Sequence, residues 1–292
     1  MARRASAAAS AAVATGDGGN RNMEIEVVDV AEKGRGSEGA QSIRRALAIL
    51  RIVAAGQERG VRLIDVVTST GLSQPTVHRI LRVLIEEGAA EQNPKTRRYA
   101  IGNEVTLLGL ARVARFPLRA AAEPYLQYLS ETLGDTIFLT IANGDDSVCI
   151  GRWPGSYPVK VLSIDVGARR PLGAGVSGLV LLSSRTDSEI QAVVQRNARR
   201  LAALKVDPAA LIERAHEVRE QGYSYTAKGV VQGSRAVAVP VYDGTGAVVA
   251  GIALATITAR LPASRLSPVI QEMQKQAELL RQRIAEIGRS RI

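Results

Sequence analysis

The 292-residue sequence is poor in the residues that build covalent and metal-based sites, with one cysteine, Cys149, and two histidines. A single cysteine excludes a disulfide within the chain and a zinc site made of several cysteines. The strings typical of lipase-type nucleophiles, zinc proteases and P-loops, GxSxG, HExxH and GxxxxGK[ST], are also absent. We therefore expect a protein that is not an enzyme, with no catalytic residue, no metal site and no cofactor.

Long apolar runs are missing as well. None reaches the length of about 20 residues that spans a bilayer, and the mean hydropathy is +0.03 with 46% hydrophobic residues. Residues 1–40 are rich in Ala, Ser and Gly without helical or strand periodicity, and their apolar stretch is too weak and too interrupted by serine for a signal peptide. These patterns predict a cytoplasmic, two-domain protein that begins with a disordered tail over 1–40 and has no membrane partner.

Positive charge is in excess and is concentrated near the N-terminal third. The chain carries a net charge of +10, and residues 41–102 hold ten Lys/Arg against five Asp/Glu. This segment therefore contributes half of the chain's net positive charge in about a fifth of its residues. Such a concentration predicts a polyanionic partner, and we expect the charge to face nucleic-acid phosphates.

Three helical segments occupy this basic region. One runs from Ser42, as a cap, to Ala55, and a second begins near Leu63 and stops at Gly71. After a short turn, Ser73 and a proline suit the start of a third helix. Apolar residues of this last helix recur at i, i+3, i+4, i+7 and i+8: Val77, Ile80, Leu81, Leu84 and Ile85. Two helices joined by a short glycine-containing turn predict a helix-turn-helix.

A β-hairpin wing is predicted after the third helix. The turn sequence Asn93-Pro94-Lys95-Thr96 separates two short extended runs, which completes a winged helix-turn-helix over 41–103. A basic helix face by itself is equally compatible with a solvated surface. The helices, turn and wing together favour double-stranded operator DNA, with the third helix in the major groove and the wing on phosphate or minor groove. The DNA-binding residues predicted are Arg44, Arg45, Ser73, Gln74, Thr76, His78, Arg79, Arg82, Lys95, Arg97 and Arg98.

The remainder of the chain mixes helices and strands. A linker helix is predicted over 104–117, running from Glu104 to Arg115 and followed by a break at Phe116-Pro117. Beyond a helix at 118–133, a hairpin at Asn143-Gly144, a strand over 159–167 and three later strands give about six strands. Helices are expected over 209–221 and 264–287. Because strands and helices do not alternate regularly, we expect an α+β domain with an antiparallel sheet over 118–292.

The string GAGVSG, from Gly173 to Gly178, matches the GxGxxG pattern of dinucleotide-binding folds. The residues before it, ARRPL, are not an apolar strand, so a dinucleotide site is not expected. The glycines open a helix near Ser177, and the free N–H groups at a helix start suit the carboxylate of a small ligand. The alternative is a tight turn that only packs against the sheet.

Three stretches of the sequence resemble the IclR family of bacterial transcriptional regulators, over about 41–287. They are TGLSQPTVHRILRVL with the wing ending RRYAIG, then VGARRPLGAGVSGLVLL, and then EVREQGYSYTAKGVVQGSRAVAVPVYDGTGAVVAGIALA. The resemblance implies a GAF-like effector-binding domain, a homodimer or dimer of dimers, and a small organic ligand between the sheet and a loop. Carried onto this sequence, the ligand-binding residues would be Gly175, Val176, Ser177, Thr226, Ala236, Ala253 and Ala255.

The sequence departs from the family pattern at this loop. The His and Thr of the family's PlhatA stretch are Gly173 and Gly175 here, its Lys is Leu179, and alanines occupy the sheet. A roomier, less polar pocket for an aromatic or other organic acid is therefore expected. The predicted function is a ligand-responsive DNA-binding regulator of small-molecule metabolism, dimeric through Leu107, Leu108 and Leu110 of the linker helix. The alternative is a constitutive DNA-binding protein whose C-terminal domain only oligomerises.

Overall fold

The structure, a computed structural model, describes residues 38–113, 118–227, 229 and 232–289. Its N-terminal unit contains α1 (Glu38–Ala55), a 3-10 turn (Gln57–Arg59), α2 (Leu63–Thr70), α3 (Gln74–Glu86), β1 (Ala90–Gln92) and β2 (Tyr99–Ile101). The two strands pair antiparallel, from Ala90 opposite Ile101 to Gln92 opposite Tyr99. The predicted helices and wing are therefore all present, in the predicted order.

A small apolar core holds this unit together. It combines one face of each helix with the wing, and its buried members include Ile49, Ile52, Val53, Val66, Val77, Leu81 and Tyr99. Gly71 ends α2 in the left-handed conformation, at φ +67°, and its N–H donates to the Val67 carbonyl at 2.9 Å. Glycine reaches that conformation without the strain that a Cβ would add, so the chain turns sharply into α3.

The start of α1 differs from the prediction. The helix begins at Glu38, so Ser42 lies inside it and does not cap it. The residues EGAQ, at 38–41, extend the helix toward the N-terminus, because only the glycine among them has a low helix propensity. Residues 38–40, which were predicted to belong to the disordered tail, are therefore helical. Residues 1–37 lie outside the described part of the chain.

Two helices connect the N-terminal unit to the C-terminal domain. The linker helix α4 spans Asn103–Val113, and α5 spans Leu118–Leu133 as predicted. The predicted break at Phe116-Pro117 and the end of the linker segment lie outside the described residues. Leucines 107, 108 and 110 of α4 are 52%, 65% and 60% exposed. Three neighbouring leucines therefore present an uncovered apolar surface on the linker.

The C-terminal domain is built on an antiparallel sheet of six strands within the described residues. The strands are β3 (Thr136–Asn143), β4 (Asp146–Trp153), β5 (Arg169–Pro171), β6 (Ser224–Thr226), β7 (Ser234–Tyr242) and β8 (Val248–Ile257), in the order β5-β4-β3-β8-β7-β6. The hairpin at Asn143-Gly144 is confirmed, with Gly144 at φ +63°. The fold class is the predicted one: α+β with an antiparallel sheet.

The strand predicted over 159–167 is wrong. This segment is irregular, with Val159 and Leu162 exposed at 55% and 46%, and the edge position is taken instead by the short strand β5. Among the apolar residues of the segment only Val161 is buried. The segment therefore has no buried face of the kind that a strand would present. Backbone pairing with β4 begins at the end of the segment, where Gly167 N–H donates to the Cys149 carbonyl at 2.7 Å.

Helices cover both faces of the sheet. On one side lie α6 (Gly175–Ser183), α7 (Asp187–Arg196), α8 (Ala198–Ala203) and α9 (Pro208–Gln221), and on the other lie α5 and α10 (Ala263–Arg289). Strand alternation separates the two cores: Phe138 of β3 packs toward α6, whereas Ile137 and Leu139 pack toward α5 and α10. The cavity described below lies in the α6 layer.

Candidate nucleic-acid interface and ligand cavity

Helix α3 presents a polar face to solvent. Gln74, His78, Arg79 and Arg82 are exposed, and Thr76 is half-buried, while the opposite side of the helix is packed into the core. Arg79 makes no hydrogen bond or ion pair with any residue that the structure describes. Arg82 lies 3.5 Å from Glu86, Nε to Oε1, and both side chains are exposed. Such a surface pair is weak, so both guanidinium groups are accessible to a ligand on this face.

The first turn of α3 differs in detail from the prediction. Ser73 occupies the N-cap position, but its hydroxyl does not cap a backbone N–H. It shares a hydrogen bond with the Thr76 hydroxyl, at 2.8 Å between Oγ and Oγ1. The backbone N–H groups of this turn therefore have no side-chain cap.

An Asx-turn at Asn93 stabilises the turn of the wing. Its Oδ1 accepts hydrogen bonds from the backbone N–H groups of Lys95 and Thr96, at 3.0 and 2.9 Å. Lys95 and Arg97 are exposed, and Arg97 has φ +58°. Arg98 is half-buried, and its Nη1 donates to the Gly60 carbonyl at 3.0 Å. Arg98 therefore braces the wing against the turn before α2, while its two basic neighbours extend outward.

The two arginines predicted on α1 have different environments. Arg44 is exposed, whereas Arg45 is half-buried. The Nε atom of Arg45 is buried and finds no hydrogen-bond partner among the described residues. The structure therefore leaves Arg44 on the surface and places part of the Arg45 guanidinium against the protein.

A cavity of about 230 Å³ lies between the sheet, α6 and α9. This volume is below the range of about 300–1,000 Å³ that suits drug-sized ligands. The cavity is lined by every residue of the predicted ligand set: Gly175, Val176, Ser177, Thr226, Ala236, Ala253 and Ala255. The structure thus brings together residues that are up to 80 positions apart in the sequence.

Strand register explains the cavity floor. Thr226, Ala236 and Ala255 lie directly opposite one another on β6, β7 and β8. Phe138 of β3 lies opposite Ala253 of β8. Small side chains in these rows leave room above the sheet, and the aromatic ring closes part of it. The part of the floor formed by these rows is therefore mainly apolar, and Thr226 adds a hydroxyl at its β6 edge.

Sequence reasoning missed several polar residues of the wall. Thr140, Ser147, Cys149, Ser163 and Ser234 also line the cavity. Burial raises the pKa of the Cys149 thiol to about 11, so this group is neutral at physiological pH. Thr140 lies opposite Cys149 on β3 and β4. Strand alternation places Thr140, Ser147 and Cys149 on one face of the sheet, whereas Ser163 lies in the irregular segment before β5. Only the packing of α6 identified that face as the cavity face.

Two arginines, Arg170 of β5 and Arg214 of α9, were also missed. The pocket is therefore more polar than the alanine-rich floor suggested. Arg169, the strand neighbour of Arg170, points away and donates to Asp146 at 2.9 Å. One indication was available in the sequence. Adjacent residues of a strand face opposite sides of the sheet, so Arg169 and Arg170 cannot both face the cavity.

The loop over 173–178, here called the glycine loop, contains glycine because of its backbone conformation and because of the space around it. Gly173 and Gly175 have φ values of +97° and +74°. A Cβ on Gly173 would lie 2.8 Å from the Leu182 Cδ2, whereas one on Gly175 would meet nothing within 4 Å. The loop is closed by a hydrogen bond from Gly173 N–H to the Gly178 carbonyl at 3.1 Å. Glycine is thus required for the turn, and the side of Gly175 opens to space.

Helix α6 begins at this loop without a side-chain cap. Its N-cap residue is Ala174, which has no side-chain acceptor. The N–H groups of the first turn have no acceptor inside the helix. Because Gly175, Val176 and Ser177 line the cavity, the helix start supplies donors and partial positive charge there.

A segment next to the cavity also touches the N-terminal unit. Ser163, Ile164 and Ala168 line the cavity, and we call residues 163–168 the cavity loop. The side-chain amide of Gln57 donates a hydrogen bond to the Val166 carbonyl of this loop. The 3-10 turn after α1 is therefore in direct contact with the cavity loop.

No helix within the described residues is long and apolar enough to cross a membrane.

Comparison with known proteins agrees with this architecture. A model of the IclR helix-turn-helix domain matches residues 42–94, and a model of the C-terminal domain of bacterial IclR regulators matches residues 110–281. The HTH-type transcriptional regulator XynR of Escherichia coli K12 is 30% identical over 80% of this chain and 93% of its own length. The Pca regulon regulatory protein of Pseudomonas putida is 30% identical over 77% of each chain.

Solved structures share the fold. A transcriptional regulator from Silicibacter sp. TM1040 superposes with a TM-score of 0.68 at 25% identity, covering 83% of this chain and 96% of its own. An IclR homologue from Microbacterium hydrocarbonoxydans, crystallised with 4-hydroxybenzoate, has a TM-score of 0.63 at 19% identity, covering 83% and 98%. With both domains matched in order and across most of its length, this chain belongs to the IclR family of bacterial transcriptional regulators.

Proposed function

We propose that this regulator binds operator DNA in the cytoplasm and changes its DNA affinity when a small organic acid occupies the cavity. The observation that carries the proposal is the convergence of all seven predicted ligand residues on one cavity behind a DNA-binding unit. A domain that only oligomerised would need neither the uncapped helix start nor the open space beside Gly175.

The DNA side of the proposal rests on α3 and the wing. Arg79 and Arg82 stand on the exposed face of α3, and arginine binds the major-groove edge of guanine with two hydrogen bonds. Gln74, Thr76 and His78 belong to the same surface. Lys95 and Arg97 at the wing tip hold phosphate, which fixes the register of the protein on the duplex.

The ligand side rests on the cavity chemistry. A carboxylate at the start of α6 accepts hydrogen bonds from the first-turn N–H groups, while an apolar body packs on Phe138 and the alanines. The Microbacterium relative was crystallised with 4-hydroxybenzoate, and the P. putida relative carries the name of the pca regulon. Their likeness supports an aromatic or other organic acid as effector, and genes of its metabolism as targets.

The exposed leucines of the linker helix support a homodimer. The three exposed leucines of α4 form a surface that a second copy would cover, and helix-turn-helix proteins read paired half-sites as dimers. We therefore propose a homodimer joined chiefly through α4, with a dimer of dimers as the higher form.

The test combines footprinting with ligand titration. We expect protection of a paired site at the promoter of the protein's own gene or of its neighbours. Addition of an organic acid that raises the protein's Tm should change the concentration needed for protection. A footprint that stays unchanged with every acid that binds would support the alternative of a constitutive DNA-binding protein.

A further inference from the structure

Thr140 of β3 has a buried, unpaired hydroxyl in the wall of the cavity. The residue is 6% exposed and is part of the cavity lining. Its hydroxyl forms no hydrogen bond with any residue that the structure describes. Buried polar side chains in folded proteins nearly always have a hydrogen-bond partner, so Thr140 is an exception. A ligand group that enters the cavity would supply the missing partner.

Thr136, on the same strand, provides a comparison. It lies four residues earlier, hence on the same face of β3, and is 1% exposed. Its Oγ1 is also without a partner in the described part of the chain. Thr136 does not line the cavity, whereas Thr140 does. The strand thus tolerates an unpaired hydroxyl, and it is the position of Thr140 at the cavity that points to a ligand.

The neighbours of Thr140 place it next to the start of α6. Thr140 lies opposite Cys149 on β4 and opposite Gly251 on β8. A Cβ on Gly251 would lie 3.6 Å from the Ser177 Cβ, so the first turn of α6 packs directly on this row of the sheet. Ser177 also lines the cavity. Thr140 is therefore close to the helix start at which the proposed function places the effector's carboxylate.

The polar groups beside Thr140 are uncharged. Burial raises the pKa of the Cys149 thiol to about 11, and Ser177 contributes a hydroxyl. The Thr140 hydroxyl can both donate and accept a hydrogen bond, but it supplies no charge to balance a second carboxylate. A ligand hydroxyl, which also donates and accepts, matches this position.

We infer, resting on the proposed function, that Thr140 is a specificity-determining residue that binds an uncharged hydroxyl of the effector, a monocarboxylic acid no larger than one ring. The carboxylate binds the start of α6, and the apolar skeleton packs on Phe138. The volume of about 230 Å³ limits the skeleton. An acid that lacks the hydroxyl would bury the Thr140 hydroxyl unpaired and therefore bind less tightly.

The test compares acids that differ by one hydroxyl. Calorimetric titration of the full-length protein with benzoate and with the ortho, meta and para isomers of hydroxybenzoate should show at least one isomer binding about tenfold more tightly than benzoate. Terephthalate is titrated in parallel. Equal affinity across the series, no binding by any hydroxybenzoate, or tighter binding of terephthalate than of every hydroxybenzoate would overturn the inference.

Variants of Thr140 locate the preference. Thr140→Val removes the hydroxyl at nearly constant shape. It should weaken binding of the preferred hydroxybenzoate about tenfold and leave benzoate binding within about twofold. The Tm of the unliganded protein should not fall, because no hydrogen bond is lost, whereas a structural hydroxyl would lower it. Thr140→Ser keeps the hydroxyl and should keep the preference.

Thr136→Val is the matched control, because it removes an unpaired, buried hydroxyl from the same face of β3 outside the cavity lining. It should leave the preference for the hydroxybenzoate intact. A preference that persists in Thr140→Val, or that is lost equally in Thr136→Val, would contradict the role of Thr140. If Thr140→Val does not fold, Thr140→Ala decides, because it also lacks the hydroxyl and has a smaller side chain.

The inference and the proposed function fail in different ways. A protein whose footprint responds to an organic acid, without any preference for a hydroxyl, retains the proposed function and loses the role of Thr140. A protein that binds a hydroxybenzoate selectively through Thr140, without any change in its footprint, retains the hydroxyl site and loses the regulatory function.

Discussion

Gln57, in the turn after α1, donates its side-chain amide to the backbone carbonyl of Val166 in the cavity loop. Gln57 has φ +49°, a left-handed conformation that costs a non-glycine residue about 1–3 kcal/mol. Gly167 follows Val166 and also has a positive φ, and a Cβ there would lie 3.2 Å from the Gln57 Nε2. The contact therefore links the DNA-binding unit to the loop that Ser163 and Ile164 anchor at the cavity.

Removal of this link should uncouple the two domains. We expect Gln57→Ala to leave unliganded operator affinity within about twofold of wild type while the ligand-induced change in affinity falls about fivefold or more, the lower end of typical coupling energies. Alanine tolerates positive φ no better than glutamine, so the backbone strain is unchanged. Anisotropy titrations with and without ligand measure both quantities.

The control for this variant is Gln195→Ala, an equivalent truncation on the exposed surface of α7. A full ligand response in Gln57→Ala would show that the signal does not pass through the Val166 contact.

Arg79→Ala should weaken operator binding by about 1–3 kcal/mol and relax specificity at one base position. The side chain is exposed on the polar face of α3, so its removal leaves the core intact. Binding to the operator and to random DNA of the same length measures the effect. An equal loss on both DNAs would assign Arg79 to phosphate contact instead of base readout.

Arg97→Ala should weaken operator and random DNA alike and reduce the slope of log K against log salt by about one. Arg97 is at the wing tip and has φ +58°, so Arg97→Gly is a useful companion that removes the charge without backbone strain. Arg97→Lys keeps the charge and serves as control. An unchanged salt slope in both neutral variants would show that Arg97 does not contact phosphate.

Leu108→Glu should disrupt the dimer, because Leu108 is 65% exposed in the single chain and a charge there would be buried against the partner. Sedimentation at micromolar concentration should show a dimer for wild type and a monomer for the variant, with weaker operator binding. Tyr242→Glu, an exposed apolar residue at the end of β7, is the control. A monomeric wild type would contradict the assembly through α4.

Gly175→Val should abolish ligand binding while DNA binding persists. The new side chain enters open space beside the cavity, but φ +74° imposes strain of about 1–3 kcal/mol. Gly246→Val is the matched control, since Gly246 has φ +85°, also meets nothing within 4 Å, and lies in the β7–β8 turn away from the cavity lining.

Both glycine variants should lower the Tm by similar amounts, because the strain is similar. Only Gly175→Val should lose ligand binding in calorimetry. If ligand binding survives in Gly175→Val, the glycine loop serves as a structural turn and the carboxylate binds elsewhere.

Local sequence patterns were sufficient for most elements. The spacing of Val77, Leu81 and Leu84 identified the buried face of α3, and Asn93-Pro94 marked the wing turn. The helix predicted over 209–221 is present as α9, and the Asp207 carboxylate caps it by accepting from Ala209 N–H at 3.2 Å. These features depend on a few neighbouring residues, so periodicity and capping chemistry determine them.

The ligand residues were predicted from the family resemblance and not from local pattern. The motif around Gly175 and the strands bearing Ala236 and Ala255 carried them, and the structure places all of them on one cavity. Their role in binding stays a prediction until a ligand is bound.

Only the tertiary structure decided which of several locally allowed arrangements forms. The apolar alternation of residues 159–167 suited a strand, yet the edge of β4 pairs with Arg169–Pro171 instead. Alternation alone places Arg169 and Arg170 on opposite faces, but the packing of α6 and α9 makes one of those faces a cavity wall. The bond from Arg98 to Gly60, 38 residues away, and that from Gln57 to Val166, 109 residues away, likewise leave no mark in the local sequence. Helix and turn formation is driven by interactions within a few residues, whereas strand pairing and cavity walls depend on contacts between distant segments that exist only once the chain has folded.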